Sequence, residues 1–167
     1  MTNRFKVLAA VAALVLLRPG AAAAADPDYL SFSAGAFDIN DTETAAEFRV
    51  EYRSDWRRYI LTPMIGLMAN SDGGVYGYGG VFIDFYFGRR LVVSPNFAIG
   101  GYRQGNSKDL GSTIEFRSGI EFAYRFDDRS RLGLAFQHIS NASIDEKNPG
   151  TESLVLTYSI PFGKFRQ

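Results

Sequence analysis

TIEFRSGIEFAYRF, residues 113–126, alternates with a period of two. Ile114, Phe116, Ile120, Phe122, Tyr124 and Phe126 fall in one phase; Thr113, Glu115, Arg117, Glu121 and Arg125 fall in the other. Successive side chains of a strand point to opposite faces, so the segment predicts a strand with one apolar and one charged face. The same reading extends in both directions. Residues 46–53 set Phe48, Val50 and Tyr52 against Glu47, Arg49, Glu51 and Arg53; a helix would mix Phe48 with charged neighbours. Residues 29–37 place Leu30, Phe32, Ala34 and Ala36 in one phase, and residues 75–87 place Val75, Val81, Ile83, Phe85 and Phe87 against Tyr76, Tyr78 and Asp84. Residues 59–69 and 91–102 are apolar but of unassigned phase. With 131–140 and 152–162 the tally is eight strands of about ten residues, the length a tilted strand needs to cross a bilayer.

The first twenty-five residues predict a separate segment. Arg4 and Lys6 precede an apolar run from residue 7 to 17, too short for a membrane helix, and Ala23 and Ala25 supply an A-x-A cleavage pattern before Asp26. Residues 1–25 therefore read as a secretory signal peptide and 26–167 as a single domain. Removing Arg4, Lys6 and Arg18 leaves 15 basic against 18 acidic residues, about −3 net, which argues against a nucleic-acid binder. With no cysteine, neither disulfides nor thiolate metal sites are available, whereas 14 Phe, 9 Tyr and 17 Gly suit strands and tight turns.

A soluble β-sandwich would also alternate. The export signal, the breadth of the apolar face on nearly every strand, and Tyr52, Trp56, Tyr59 and Tyr158 near strand ends favour a membrane barrel with an aromatic girdle. The connections agree. Those around Trp56, at 88–90 and at 127–130 are short, while 38–43, 104–112 and 141–151 are longer, with 70–74 the exception. The expected fold is an all-β, eight-stranded antiparallel transmembrane β-barrel of the bacterial outer membrane. An interior that small is filled by side chains, so Glu47, Arg49, Glu51, Glu115, Arg117, Glu121 and Arg125 are expected to form an internal ion-pair lattice and not to line a channel.

The residues that could carry chemistry lie in FQHISNASIDEKNPGTESLVL, residues 136–156, which holds the chain's single histidine. His138 and Ser140 continue the apolar phase of Leu132, Leu134 and Phe136, and Glu152 begins the apolar phase of Leu154, Leu156, Tyr158 and Ile160. All three therefore face lipid at the loop end of the last hairpin. Residues i and i+2 of a strand are about 7 Å apart on one face; with Ser140 opposite Glu152, His138 is one diagonal step from the acid. This yields a nucleophile, a base and an orienting acid. Against it stands the ordinary reading, in which Ser, His and Glu near a membrane boundary are merely interfacial. No G-x-S-x-G elbow supports an α/β-hydrolase.

His138-Ile139-Ser140-Asn141-Ala142, followed by Asn148-Pro149-Gly150 and Glu152, resembles the signature of the PagL-type outer-membrane lipid A 3-O-deacylases. The resemblance covers roughly the last two strands. It implies hydrolysis of the 3-O-linked acyl chain of lipid A in lipopolysaccharide, with His138 as base, Ser140 as nucleophile, Glu152 as orienting acid and Asn141 near the oxyanion, without metal or cofactor, at a site facing the outer leaflet. Arg103, Lys108 and Lys147 are candidates to meet lipid A phosphates, with solvated loop charges as the plain alternative. The other class of reading is a non-enzymatic structural or adhesive barrel among outer-membrane lipids. A homodimer is compatible with either, and nothing in the sequence calls for one.

Overall fold

The computed structural model describes residues 27–42 and 44–162, so the expected signal peptide and the tail from residue 163 lie outside the described residues. The strands are β1 (Asp28–Phe37), β2 (Ala45–Arg53), β3 (Thr62–Asn70), β4 (Val75–Phe82), β5 (Phe85–Phe87), β6 (Leu91–Arg103), β7 (Ile114–Arg125), β8 (Arg131–Ser140) and β9 (Thr151–Phe162). Strands successive in the chain pair antiparallel except β4 with β5, β1 also pairs with β9, and β4 pairs with β6, which closes the sheet on itself. The fold is a closed, eight-stranded antiparallel transmembrane barrel.

Nine segments make eight crossings because β4 and β5 are halves of one strand. Val75 to Phe82 pair with Arg103 to Asn96, and Phe85 to Phe87 continue against Val93 to Leu91 in the same register. The ladder opens between them opposite Pro95. Ile83 N–H donates to the Pro95 carbonyl at 3.1 Å, and proline has no N–H to return the bond.

The faces divide as the alternation predicts. Phe48, Val50, Ile65, Leu67, Phe122, Leu134 and Leu156 are exposed on the outside, whereas Glu47, Arg49, Glu51, Arg53, Glu121 and Arg117 are buried inside. Burying charges is tolerable only when they are paired and hydrogen-bonded. Arg53 bonds Glu51 (2.7 Å) and, through both terminal nitrogens, Glu121 (3.2 and 2.6 Å). Arg117 and the Tyr78 hydroxyl donate to Glu51 at 3.0 and 2.8 Å, Arg49 pairs with Glu47, and Arg131 pairs with Asp84 at 2.8 Å. Glu115 departs from the expected lattice: it is buried, but among the described residues neither carboxylate oxygen has a hydrogen-bond partner.

One end of the barrel carries the connections 38–44, 71–74, 104–113 and 141–150; the other carries 54–61, 88–90 and 126–130. The connection around Trp56 is longer than expected, because β3 begins at Thr62 and not near Tyr59. Arg58 and Leu61 exchange backbone hydrogen bonds of 3.0 and 3.1 Å around Tyr59, whose φ of 59° takes it out of the extended conformation.

Candidate functional site

The β8–β9 register settles where the acid stands. His138 pairs directly with Glu152, Gln137 with Ser153 and Phe136 with Leu154. The expected diagonal step is thus replaced by direct opposition, the closest approach two side chains on adjacent strands can have. His138 Nδ1 lies 3.0 Å from Glu152 Oε1. An ionised carboxylate only accepts, so a neutral imidazole in this contact donates from Nδ1 and keeps its lone pair on Nε2. The two side chains are 42 % and 25 % exposed, facing outward at the long-loop end.

Ser140 follows two residues along the same face and pairs across with Phe116 of β7. Among the described residues its hydroxyl makes no hydrogen bond to His138. Hydrogen bonds between such groups are often long or absent without substrate and tighten in its complex.

Gly150 fits against the free edge of the imidazole. A Cβ there would stand 3.1 Å from His138 Cε1 and 3.7 Å from Nε2, and its φ of +65° belongs to the left-handed region that side chains resist. Gly150→Ala is expected to cost about 1–2 kcal/mol in backbone strain and to push the ring off its position. A barrel that still folds, with kcat at least about tenfold down, is the expected result of steady-state assay and gel heat-modifiability. Unchanged kcat would show that the ring edge needs no such clearance.

The Asn141 side chain, expected near the oxyanion, already has hydrogen-bond partners in the adjoining loops. It is fully buried, and its Nδ2 donates to the carbonyls of Leu110 (3.1 Å) and Lys147 (2.6 Å). Its Oδ1 accepts from Ser143 N at 2.9 Å, and its backbone N–H donates to Asn148 Oδ1 at 3.0 Å. Both amide hydrogens are committed, so the side chain braces the turn after Ser140. Asn148 shares this work through a bond to Ser143 Oγ. Asn and Asp side chains that close turns in this way are suggested by an N-x-S or N-P pattern, but the Leu110 carbonyl, thirty-one residues away, is not.

Lys108 also differs from expectation. Its side chain is 15 % exposed and its ammonium donates to Asp38 Oδ1 (2.8 Å) and Asp41 Oδ2 (3.2 Å). Arg103 and Lys147, by contrast, line an open cleft of about 960 Å³ between the loops 104–113 and 141–150, together with Asp109, Ser112 and Asp145. Among the described residues no three His, Cys, Asp or Glu side chains converge to hold a metal ion.

The sequence pattern of the family described as "Lipid A 3-O-deacylase (PagL)" matches residues 43–161. The chain is 26 % identical over 129 residues to the lipid A deacylase PagL of Bordetella bronchiseptica, covering 72 % of each protein. It is 32 % identical over 87 residues to the lipid A deacylase PagL of Pseudomonas aeruginosa, covering 52 % of this chain and 48 % of that one. The crystal structure of the outer membrane enzyme PagL superposes with a TM-score of 0.62 at 19 % identity, over 80 % of this chain and 99 % of the other. The barrel, with His138 and Glu152 hydrogen-bonded on its outer face, belongs to a chain that is a member of the lipid A 3-O-deacylase (PagL) family.

Proposed function

We propose that this protein hydrolyses the 3-O-linked acyl ester of lipid A by a Ser140–His138–Glu152 triad on the lipid-facing surface, in the outer leaflet of the outer membrane. The observation that carries the proposal is the 3.0 Å contact between His138 Nδ1 and Glu152 on the outside of a barrel of this family. Glu152 holds the tautomer that leaves Nε2 free. Nε2 then takes the proton of Ser140 as its oxygen attacks the ester carbonyl. The tetrahedral oxyanion falls to backbone N–H groups of the turn that Asn141 braces. Collapse of that intermediate gives an acyl-serine and the free 3-hydroxyl of the sugar, which takes the proton from the imidazolium. Water, deprotonated by the same imidazole, releases the fatty acid.

The setting supports this chemistry. Leu132, Leu134, Phe136, Leu154 and Leu156 lie exposed along the strands that carry the triad, where an acyl chain can lie beside the bilayer's own. Arg103 and Lys147 sit at the cleft beside the adjoining loops, within the region a phosphorylated headgroup would occupy.

The test is the lipid A mass spectrum of cells expressing the chain. Loss of one hydroxyacyl group, persisting when purified enzyme is assayed with a calcium chelator, is the expected outcome. Unaltered lipid A would leave a structural or adhesive barrel as the better reading, and activity abolished by chelator would point to a calcium-dependent hydrolase.

A further inference from the structure

Glu152 can orient His138 only if the first residues of β9 are themselves held. They lie at the end of a strand, next to a ten-residue loop, where ladders normally fray. The first long-end loop supplies what the ladder lacks. Ile39 N–H donates to the Glu152 carbonyl at 3.1 Å, extending the β1–β9 pairing one step past Phe37 and Ser153. Beside it, the Thr151 hydroxyl donates to Asp38 Oδ1 at 2.9 Å. Asp38 is fully buried and holds a φ of 57°, and its backbone carbonyl accepts from Thr44 Oγ1 at 3.0 Å.

A buried carboxylate needs a cation, and here it is Lys108, reaching over from the loop 104–113. Burial works against the ammonium. The hydrogen bonds and charges of Asp38 and Asp41 outweigh it and hold the Lys108 pKa above the ordinary lysine value of 10.5. The hydrogen bond from Thr42 N–H, then that from Lys108, hold the Asp41 carboxyl below its ordinary 3.8. The Lys108 contribution is therefore complete below pH 10.5 and fades only as pH rises through the elevated value. The Asp41 contribution is complete above pH 3.8 and fades as pH falls through the lowered one. Two residues beyond Lys108, the Leu110 carbonyl takes the Asn141 amide, so the same loop also grips the turn after Ser140.

We infer that Asp38 and Lys108 are positioning residues of the triad, fixing Glu152 against His138 through Thr151 and Ile39, with the loop 104–113 acting as a strap across both arms of the β8–β9 hairpin at its loop end. The inference rests on the triad reading above. It assigns Lys108 to the protein's own carboxylates and not to a phosphate of the substrate.

The experiment compares Asp38→Asn, Lys108→Met and Lys108→Arg with Glu152→Ala in the full chain, folded in detergent micelles and checked by heat-modifiability. Two readouts are needed: kcat and KM on lipid A, and the rate at which a fluorophosphonate labels Ser140, normalised to folded protein. Lys108→Met and Asp38→Asn are expected to lower kcat and the labelling rate about tenfold with KM within about twofold, and Lys108→Arg to restore both. Labelling needs no lipid A, so a fall there separates positioning from substrate binding. A rise in KM alone on Lys108→Met, with labelling unchanged, would overturn the inference in favour of a phosphate contact. Full activity in the Asp38 and Lys108 variants beside a dead Glu152→Ala would sink the strap alone, whereas an active Glu152→Ala would sink the triad and the strap with it.

Discussion

Replacing Ser140 by alanine is expected to lower deacylation by at least about a thousandfold while leaving the barrel folded. The change removes a hydroxyl from a partly exposed, outward position, so it opens no cavity and breaks no hydrogen bond among the described residues. Without the oxygen, Nε2 has no nucleophile to deprotonate, and the residual rate is whatever the oxyanion donors and binding give to water. The lipid A spectrum of cells making the variant then matches that of cells without the gene. One other serine bears on this outcome: Ser118 of β7 pairs directly with His138 on the side away from Glu152, and it is exposed. Should the alanine variant keep more than about a tenth of the activity, Ser140 is not the nucleophile, and the fluorophosphonate adduct should then be found on the Ser118 peptide.

The second large effect is on stability. Glu51→Ala removes the one carboxylate that accepts from Arg53, Arg117 and Tyr78 together. Arg117, 2 % exposed and stacked 3.9 Å over the Tyr78 ring, would be left in the barrel interior without its anion. Breaking one partner of a buried pair costs about 3–5 kcal/mol because the remaining charge stays desolvated. The contrast is Asp127→Ala, which breaks the Arg90–Asp127 bridge at 2.7 Å, where the side chains are 40 % and 80 % exposed. Solvent screens that pair, so its loss should hardly move the midpoint. Urea unfolding in lipid vesicles should separate the two variants clearly. A Glu51→Ala midpoint close to that of Asp127→Ala would mean that water enters the interior and solvates the arginines.

The barrel was legible because most crossings carry the alternation locally, apolar outward against polar inward; it is blurred on β3 and β6, where Met64, Met68 and Val92 are buried inside. Residues 113–126 state it most cleanly, and β7 spans Ile114–Arg125 with that pattern intact. Boundaries failed where the backbone leaves the extended region for reasons that alternation does not record, as at Tyr59 in the turn before β3. The interruption opposite Pro95 was equally silent, because it changes one hydrogen bond without shifting parity.

The candidate site was legible in its face but not in its register. Parity alone turns His138, Ser140 and Glu152 to the same side. Whether His138 meets Glu152 squarely or on the diagonal depends on how a ten-residue loop closes, and a loop of that length does not dictate pairing. The partners of Lys108 and Asn141 were beyond reach for a related reason. Asp38 is seventy residues from Lys108, and Leu110 is thirty-one from Asn141. Only closure of the barrel brings such loops together, so a lysine in a polar loop looks the same whether it faces solvent or a buried carboxylate.

His138 and Glu152 sit on the outer wall of a barrel whose interior is packed with side chains, so neither substrate nor product passes through the molecule. On the proposed reading, encounter is a two-dimensional search within one leaflet. The quantity that saturates such an enzyme is the mole fraction of substrate among its lipid neighbours, not its bulk concentration. Adding inert detergent or phospholipid at constant lipid A should therefore slow turnover by surface dilution alone.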